Sequence, residues 1–134
     1  MTGFPLKIVT PDGVQFDGTA QQLNVRTTNG DVAILARHVN YVAPLGMGQA
    51  SVTINGEKRY AACIGGMVSV VDGTVTLVPT TFEWADKIDL DRAEASERRA
   101  EETLSNKNAT DLEISLAKAR LKRALIRKNV ASGK

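Results

Sequence analysis

Apolar and polar residues alternate with a period of two along much of the first two thirds of the chain. The alternating segments are residues 6–10, 23–27, 50–54 and 67–71, with shorter apolar runs at 32–35 and 75–77. Successive side chains of a strand point to opposite faces of a sheet, so this pattern is typical of short strands with one buried face. The pattern predicts an all-β region up to about residue 83.

Turn residues separate these segments. Pro11-Asp12-Gly13, Asn29-Gly30, Asn55-Gly56 and Asp72-Gly73 each lie between two predicted strands. Asn-Gly and Asp-Gly are strong hairpin signals, because both central residues of a type I′ turn need positive φ. Several short strands at this spacing predict an antiparallel sandwich or barrel.

Around residues 83–87 the pattern changes to helical spacing. Asp89 is placed to cap a first helix, whose apolar stripe is Leu90, Ala93, Ala100 and Leu104. Residues 105–109 form a polar break. We therefore expect an α+β chain with a β-domain at 1–84 and a helical region at 85–134.

The second helix begins with a capping box, in which Thr110 is the cap and Glu113 lies three residues on. Its apolar stripe is Ile114, Ala117, Leu121, Ala124 and Leu125, and we expect its end to fray near Val130. A short loop between two amphipathic helices favours an antiparallel hairpin. Much of each stripe is alanine, which buries little area, so the two helices should pack weakly against each other. Both contain strong helix formers, so each should remain helical when the packing is lost, as a conformational switch requires.

The composition of this 134-residue chain narrows the function classes. No stretch approaches the roughly 18 apolar residues of a transmembrane helix, and no secretory signal is visible at the N-terminus. The single cysteine, Cys63, excludes a disulfide framework, fits a reducing cytoplasm and reads as a buried packing residue. We expect no catalytic residues and no metal site, since no phosphate loop, zinc-protease motif or cysteine pair occurs.

Two glycines and the only histidine have structural interpretations. Gly65-Gly66 lacks the spacing of a dinucleotide fingerprint, and the pair predicts a bulge or a close backbone approach. His38 lies in a loop and is interpreted as part of a contact surface, because one histidine cannot supply the ligands of a zinc site.

Charge is distributed unevenly although the net charge is only +2. From Ser115 onward the chain has seven basic residues and no acidic one. Arg92 and Arg99 share a face of the first helix, and Arg123 and Arg127 share a face of the second. If the hairpin closes antiparallel, the two pairs can converge into a phosphate-binding cluster. The pattern alone favours a simpler alternative, in which the arginines lie on a solvated face and pair with glutamates, namely Glu94, Glu97, Glu101 and Glu102.

Four segments in order resemble the epsilon subunit of bacterial F-type ATP synthases. They are LKIVTPDGVQFDG at residues 6–18, TTNGDVAILARHVNYVAPL at 27–45, GGMVSV at 65–70 and IDLDRA at 88–93. The last matches the family signature Ile/Leu-Asp-x-x-Arg-Ala. In the second segment, Ala36-Arg37 replaces the family's usual Pro-Gly, and Asn40 replaces a usual proline.

The resemblance implies a sandwich of about ten strands followed by a two-helix hairpin. It implies a non-catalytic rotor subunit of a proton-translocating enzyme, peripheral on the cytoplasmic side of the cell membrane without inserting into it. Implied partners are the gamma subunit, the c-ring and the alpha and beta subunits. The segment Asn29, Gly30 and Asp31, together with His38, would contact the c-ring and gamma side. A mobile hairpin would inhibit ATP hydrolysis through contacts with beta from Lys122, Arg123, Arg127 and Lys128.

The resemblance also implies a regulatory ATP site, with magnesium left open. Carried over residue by residue, that site is Glu83, Ile88, Asp89, Arg92, Ala93, Arg99, Arg123 and Arg127. The resemblance therefore favours a functional site over a solvated face for the arginine cluster. Two other function classes are alternatives to this interpretation. A nucleic-acid-binding module would use the basic C-terminal region and would bind less tightly at high salt, and a stand-alone enzyme would need catalytic groups that the sequence does not offer.

Overall fold

The structure is a computed structural model that describes residues 2–133 and divides into two compact units. The first unit ends at Trp84 and the second begins at Ala85. The strands of the first unit are β1 (Phe4–Thr10), β2 (Gly13–Ala20), β3 (Gln22–Thr27), β4 (Gly30–Leu35), β5 (Tyr41–Pro44), β6 (Met47–Ile54), β7 (Glu57–Ile64), β8 (Met67–Val71), β9 (Thr74–Val78) and β10 (Thr81–Trp84). The second unit contains a 3₁₀ turn (Ala85–Lys87), α1 (Leu90–Ser105) and α2 (Asp111–Ala131).

The strands form two five-stranded sheets, in the orders β2-β1-β9-β8-β5 and β10-β7-β6-β3-β4. The pair β1–β9 is parallel, whereas the other paired strands are antiparallel. The α+β class, the ten-stranded sandwich and the following two-helix hairpin are confirmed.

Alternation along the strands builds the sandwich core, as the pattern predicted. Leu6 and Ile8 of β1 are in register with Val75 and Leu77 of β9, and all four are buried. In the second sheet, Leu23 lies opposite Val52 and both are buried. Aliphatic side chains dominate this core, because only a few aromatic residues are available.

Two of the predicted turns have the expected backbone. Asn55 and Gly56 have φ of 52° and 83°, and Asp72 and Gly73 have φ of 48° and 80°. These pairs join β6 to β7 and β8 to β9 by two-residue loops. Both central residues therefore have the positive φ of a type I′ turn, which confirms these two hairpins.

The Asn29-Gly30 turn differs from the prediction. Thr27 pairs with Gly30 across the hairpin, so the two loop residues are Thr28 and Asn29, and only Gly30 has positive φ. The hydroxyl of Thr27 donates to the carbonyl oxygen of Gly30 at 2.8 Å and accepts from the amide of Asn29 at 3.1 Å. This side-chain bonding to the turn backbone competes with the type I′ geometry that the dipeptide favours.

Both helix starts are capped as predicted. Asp89 precedes α1, and its Oδ1 accepts from the amide of Arg92 at 3.0 Å. Thr110 precedes α2 and forms a reciprocal capping box with Glu113, in which both bonds are 3.1 Å. These bonds satisfy amides that have no partner inside the helix, so each helix has a defined start.

The apolar stripes of the helices are less buried than predicted. The buried residues of the two helices are Ala93, Ala100, Ala117, Ala124 and Val130. The predicted stripe residues Leu90 and Leu125 are instead exposed, with 37% and 39% of their surface accessible. Val130 lies inside α2, which continues to Ala131. The fully buried positions of the two helices are therefore held by small side chains, whereas Leu104, Ile114 and Leu121 of the predicted stripes are half-buried.

Candidate functional site in the helical hairpin and the sandwich turns

The Ile88–Ala93 segment, which carries the most specific predicted motif, forms the entry to α1. The amide of Ile88 donates to the carbonyl oxygen of Ala85 at 3.4 Å, which closes the 3₁₀ turn. Asp89 caps the helix, Arg92 lies in the first turn with an exposed side chain, and Ala93 is buried. This motif has a structural role of its own, because it stops the 3₁₀ turn and starts the helix.

The predicted arginine cluster is distributed over both helices. Arg92 and Arg99 are exposed on α1, Arg123 is exposed on α2, and Arg127 is half-buried there. Glu83, the remaining acidic residue of the predicted ATP site, belongs to β10 of the first unit, where it is in register with Ala62. Exposed guanidinium groups can bind phosphate oxygens, two at a time when the geometry allows.

An ion pair between the helices was not predicted. Lys128 Nζ lies 3.1 Å from Oε1 and 3.5 Å from Oε2 of Glu97, across a sequence separation of 31 residues. The hydrogen bond and charge of Glu97, with smaller effects from Glu94 and Glu101, raise the pKa of Lys128 above its ordinary value. Sequence spacing had assigned Glu97 to the arginines, whereas the structure pairs it with a lysine.

The predicted contact residues in the sandwich lie in two separate turns. Asn29, Gly30 and Asp31 are at the start of β4, where the amide of Thr28 donates to the carbonyl oxygen of Pro44 at 3.1 Å. His38 follows the other end of β4. A six-residue strand spans about 16 Å between its terminal residues, so the two turns belong to different ends of the sandwich.

The two turns also differ in chemistry. Asp31 forms a solvent-exposed ion pair with Arg26 at 3.0 Å. The Nδ1 atom of His38 lies 2.8 Å from the carbonyl oxygen of Val39, and its ring meets the Tyr41 ring edge-on at 5.8 Å. Arg37 has φ of 65°, so it takes a left-handed conformation at the position where the resemblance expects glycine.

A cluster around the only tryptophan was also not predicted. Trp84 ends β10, and its ring meets Phe82 edge-on at 4.9 Å and Phe16 at 6.5 Å. The guanidinium carbon of Arg59 lies 3.9 Å from the centre of the Trp84 ring. Phe16 and Arg59 also line an open cavity of about 460 Å³, together with Ile54, Asn55 and Glu57.

Cys63 is confirmed as a buried residue of the core. Burial raises the pKa of its thiol to about 12, because the charged thiolate would lose its hydration. Across residues 2–133, no cluster of three or more His, Cys, Asp or Glu side chains could hold a metal ion. Neither α1 nor α2 is long and apolar enough to cross a membrane.

Two family models match consecutive parts of the chain. The ATP synthase delta/epsilon chain beta-sandwich domain matches residues 3–85, and the long alpha-helix domain of the same chain matches residues 86–132. The chain therefore belongs to the ATP synthase delta/epsilon chain family.

Curated relatives define the subfamily. The ATP synthase epsilon chain of Bacillus pumilus is 40% identical over 126 residues, which are 94% of this chain and 95% of the relative. The ATP synthase epsilon chain of Ruminococcus albus is 40% identical over 135 residues and is matched along the full length of both chains. The resemblance noted from the sequence is thus confirmed: the chain is of the bacterial epsilon type.

Solved structures share the fold at low sequence identity. A chain of the Euglena gracilis mitochondrial ATP synthase, solved with OSCP, F1 and c-ring, has a TM-score of 0.82 at 18% identity; the match covers 99% of this chain and 82% of that one. A chain of the Tetrahymena thermophila ATP synthase central stalk and c-ring has a TM-score of 0.65 at 15% identity, with 95% of each chain covered.

Proposed function

We propose that this chain is a non-catalytic rotor subunit that couples the gamma subunit to the c-ring and restrains ATP hydrolysis through its hairpin. The observation that carries the proposal is the contrast within the second unit. Both helices have well-formed caps, yet their buried residues are four alanines and one valine. Such helices keep their secondary structure when their docking changes, which is what a mobile regulatory element needs.

The two turn regions of the sandwich support the attachment role. Asn29, Gly30 and Asp31 are exposed at one end of β4, and His38 is half-buried after the other end. These two turn regions would contact the c-ring and gamma. The complex would then lie on the cytoplasmic face of the cell membrane, with this subunit peripheral to it. Two helices of 16 and 21 residues would reach roughly 55 Å if laid end to end. That length supports contacts between the hairpin and the alpha and beta subunits.

The basic stretch of α2 is proposed to be the inhibitory surface. Lys122 and Arg123 are exposed, and Arg127 and Lys128 are half-buried beside them in sequence. Replacing all four with alanine should raise ATP hydrolysis by the assembled complex several-fold, because an acidic surface of the beta subunit would lose its cationic partners.

The matched control for this variant is Lys118→Ala with Arg120→Ala, since both residues are basic and exposed on α2. Hydrolysis by reconstituted complexes should remain at the wild-type level in the control. If the complex with the fourfold variant hydrolyses ATP no faster than the wild-type complex, the basic stretch does not restrain hydrolysis.

ATP is proposed as a regulatory ligand of the hairpin, held by Asp89, Arg92, Arg99, Arg123 and Arg127 with Glu83, Ile88 and Ala93. Exposed guanidinium groups on both helices support a phosphate-binding role. A ligand at a hundred times its dissociation constant stabilises the binding state by about 2.7 kcal/mol. An increment of that size can decide the state of a weakly packed hairpin.

Arg92→Ala should weaken ATP binding about ten-fold, because one charge-assisted contact to phosphate is lost. Isothermal titration of the full chain measures this, with and without magnesium. Arg98→Ala is the control, since Arg98 is exposed on the same helix and lies outside the proposed site. Unchanged affinity in Arg92→Ala would exclude this residue from the ATP site.

A further inference from the structure

The Glu97–Lys128 pair is a polar contact that joins the two helices. The Lys128 ammonium donates to both carboxylate oxygens of Glu97. The Glu97 side chain is only 15% exposed, and that of Lys128 is 38% exposed. A sheltered carboxylate is poorly hydrated, so it depends on its ionic partner more than a carboxylate on an open surface does.

Lys128 also balances a local excess of negative charge. Glu94, Glu97 and Glu101 follow one another at helical spacings of three and four, which places them along one face of α1. All three raise the pKa of Lys128, with Glu97 contributing most. Neighbouring carboxylates repel each other, so removing the lysine would leave this face with unbalanced charge.

The fully buried side chains of the hairpin are small. The buried side chains of α1 are Ala93 and Ala100, and those of α2 are Ala117, Ala124 and Val130. Alanine buries far less apolar surface than leucine or isoleucine, so each such contact contributes little. A sheltered ion pair therefore adds to a helix contact whose fully buried side chains are small.

We propose that the Glu97–Lys128 ion pair is a latch that keeps the hairpin closed and withholds Lys128 from an acidic partner surface. The second part rests on the proposed function, in which Lys128 belongs to the inhibitory basic stretch. An acidic surface has to compete with Glu97 for the same ammonium group. Closure of the hairpin and contact with the partner thus exclude one another at Lys128.

The latch is tested on the full chain by pulsed electron paramagnetic resonance. Spin labels on Arg98→Cys and Asn129→Cys report the distance between two exposed positions on α1 and α2. Cys63 is buried with a raised pKa, so its thiol does not compete for the label. Glu97→Gln should increase the ratio of open to closed hairpins about two- to five-fold, whereas Glu102→Gln, at an exposed position of α1, should not change it.

A double-mutant cycle separates a direct ion pair from two independent effects. Lys128→Gln should also open the hairpin, and the double variant Glu97→Gln with Lys128→Gln should be no more open than the more open single variant. Additive opening in the double variant, or no opening in Glu97→Gln, would overturn the latch.

Hydrolysis by the assembled complex tests the competition. Glu97→Gln should lower ATP hydrolysis below the wild-type rate, because Lys128 is released to the partner, and Glu102→Gln should leave the rate unchanged. An open hairpin with an unchanged rate would overturn the competition for Lys128. Failure of the proposed inhibition itself gives a different result. The complex with the fourfold basic variant would then hydrolyse ATP at the wild-type rate, while the double-mutant cycle on the isolated chain would still show coupling between Glu97 and Lys128.

Discussion

Replacing Gly66 with alanine is expected to destabilise the β-sandwich by about 4 kcal/mol or more. Gly66 has φ of +93°, a conformation that residues with a side chain rarely adopt. A Cβ atom at this position would lie 2.0 Å from the carbonyl oxygen of Val78 and 2.6 Å from the Cα of Pro79. Both are backbone atoms, so the sheet itself would have to move to make room.

Gly73→Ala is the matched control. Gly73 has φ of +80°, but a Cβ there would meet nothing within 4 Å. Only the conformational cost remains, and this is about 1–2 kcal/mol. Urea denaturation followed by the fluorescence of Trp84, the only tryptophan, measures both variants. Equal losses in the two variants would show that the contact with Val78 and Pro79 is not what requires glycine at position 66.

The Gly65-Gly66 pair shows what a sequence can predict about a backbone contact. The dipeptide in a strand context predicted a bulge or a close approach, and the close approach is confirmed. Its partners, Val78 and Pro79, are a dozen residues away and were not predicted. Local conformational preference is encoded in the glycines, whereas the identity of the contact depends on the packing of β8 against β9.

The same division explains the turns. Asn55-Gly56 and Asp72-Gly73 were predicted correctly because the φ values they favour are the ones that the hairpins need. At Asn29-Gly30 the hydroxyl of Thr27 forms hydrogen bonds with the backbone of Asn29 and Gly30. The two loop residues there are Thr28 and Asn29, one position earlier than predicted. The same motif occurs at Thr10, which accepts from the amide of Asp12 at 3.1 Å and pairs with Gly13. A threonine three residues before a glycine was the available signal.

Strands with weak alternation were missed from pattern alone. β5 (Tyr41–Pro44) is short, ends in proline and follows closely on the loop that contains His38. β7 (Glu57–Ile64) begins with four exposed residues and then buries three consecutive ones, so it has no period of two. Pairing with neighbouring strands stabilises both segments, and single-strand patterns do not contain that information.

The helical unit follows the same rule. The caps at Asp89 and Thr110 were predicted because each involves residues three positions apart. The ion pair of Glu97 with Lys128 joins two helices, and its register depends on how the helices pack. Charge spacing along α1 indicated that Glu97 needs a cationic partner, but it could not distinguish Lys128 from the arginines of α2.

Replacing Trp84 with alanine is expected to destabilise the sandwich by about 3–5 kcal/mol. Trp84 is 7% exposed, although it is the last residue of the first unit. Its ring contacts Phe82 and Phe16 edge-on, and its indole Nε1 donates to the carbonyl oxygen of Gln15 at 3.3 Å. Alanine would remove these contacts and leave a large cavity at the end of β10.

Arg59→Ala separates the aromatic packing from the cation above it. The guanidinium group of Arg59, an exposed residue, lies over the Trp84 ring, and such a contact at an exposed site contributes about 0.5–1 kcal/mol. Trp84→Phe should fall between the two, because it keeps an aromatic ring but loses the donor to Gln15. Urea denaturation followed by circular dichroism measures all three, since the tryptophan signal is absent from two of them. If Arg59→Ala lowers the free energy of unfolding as much as Trp84→Ala does, the Arg59 cation rather than the packed ring stabilises the end of β10.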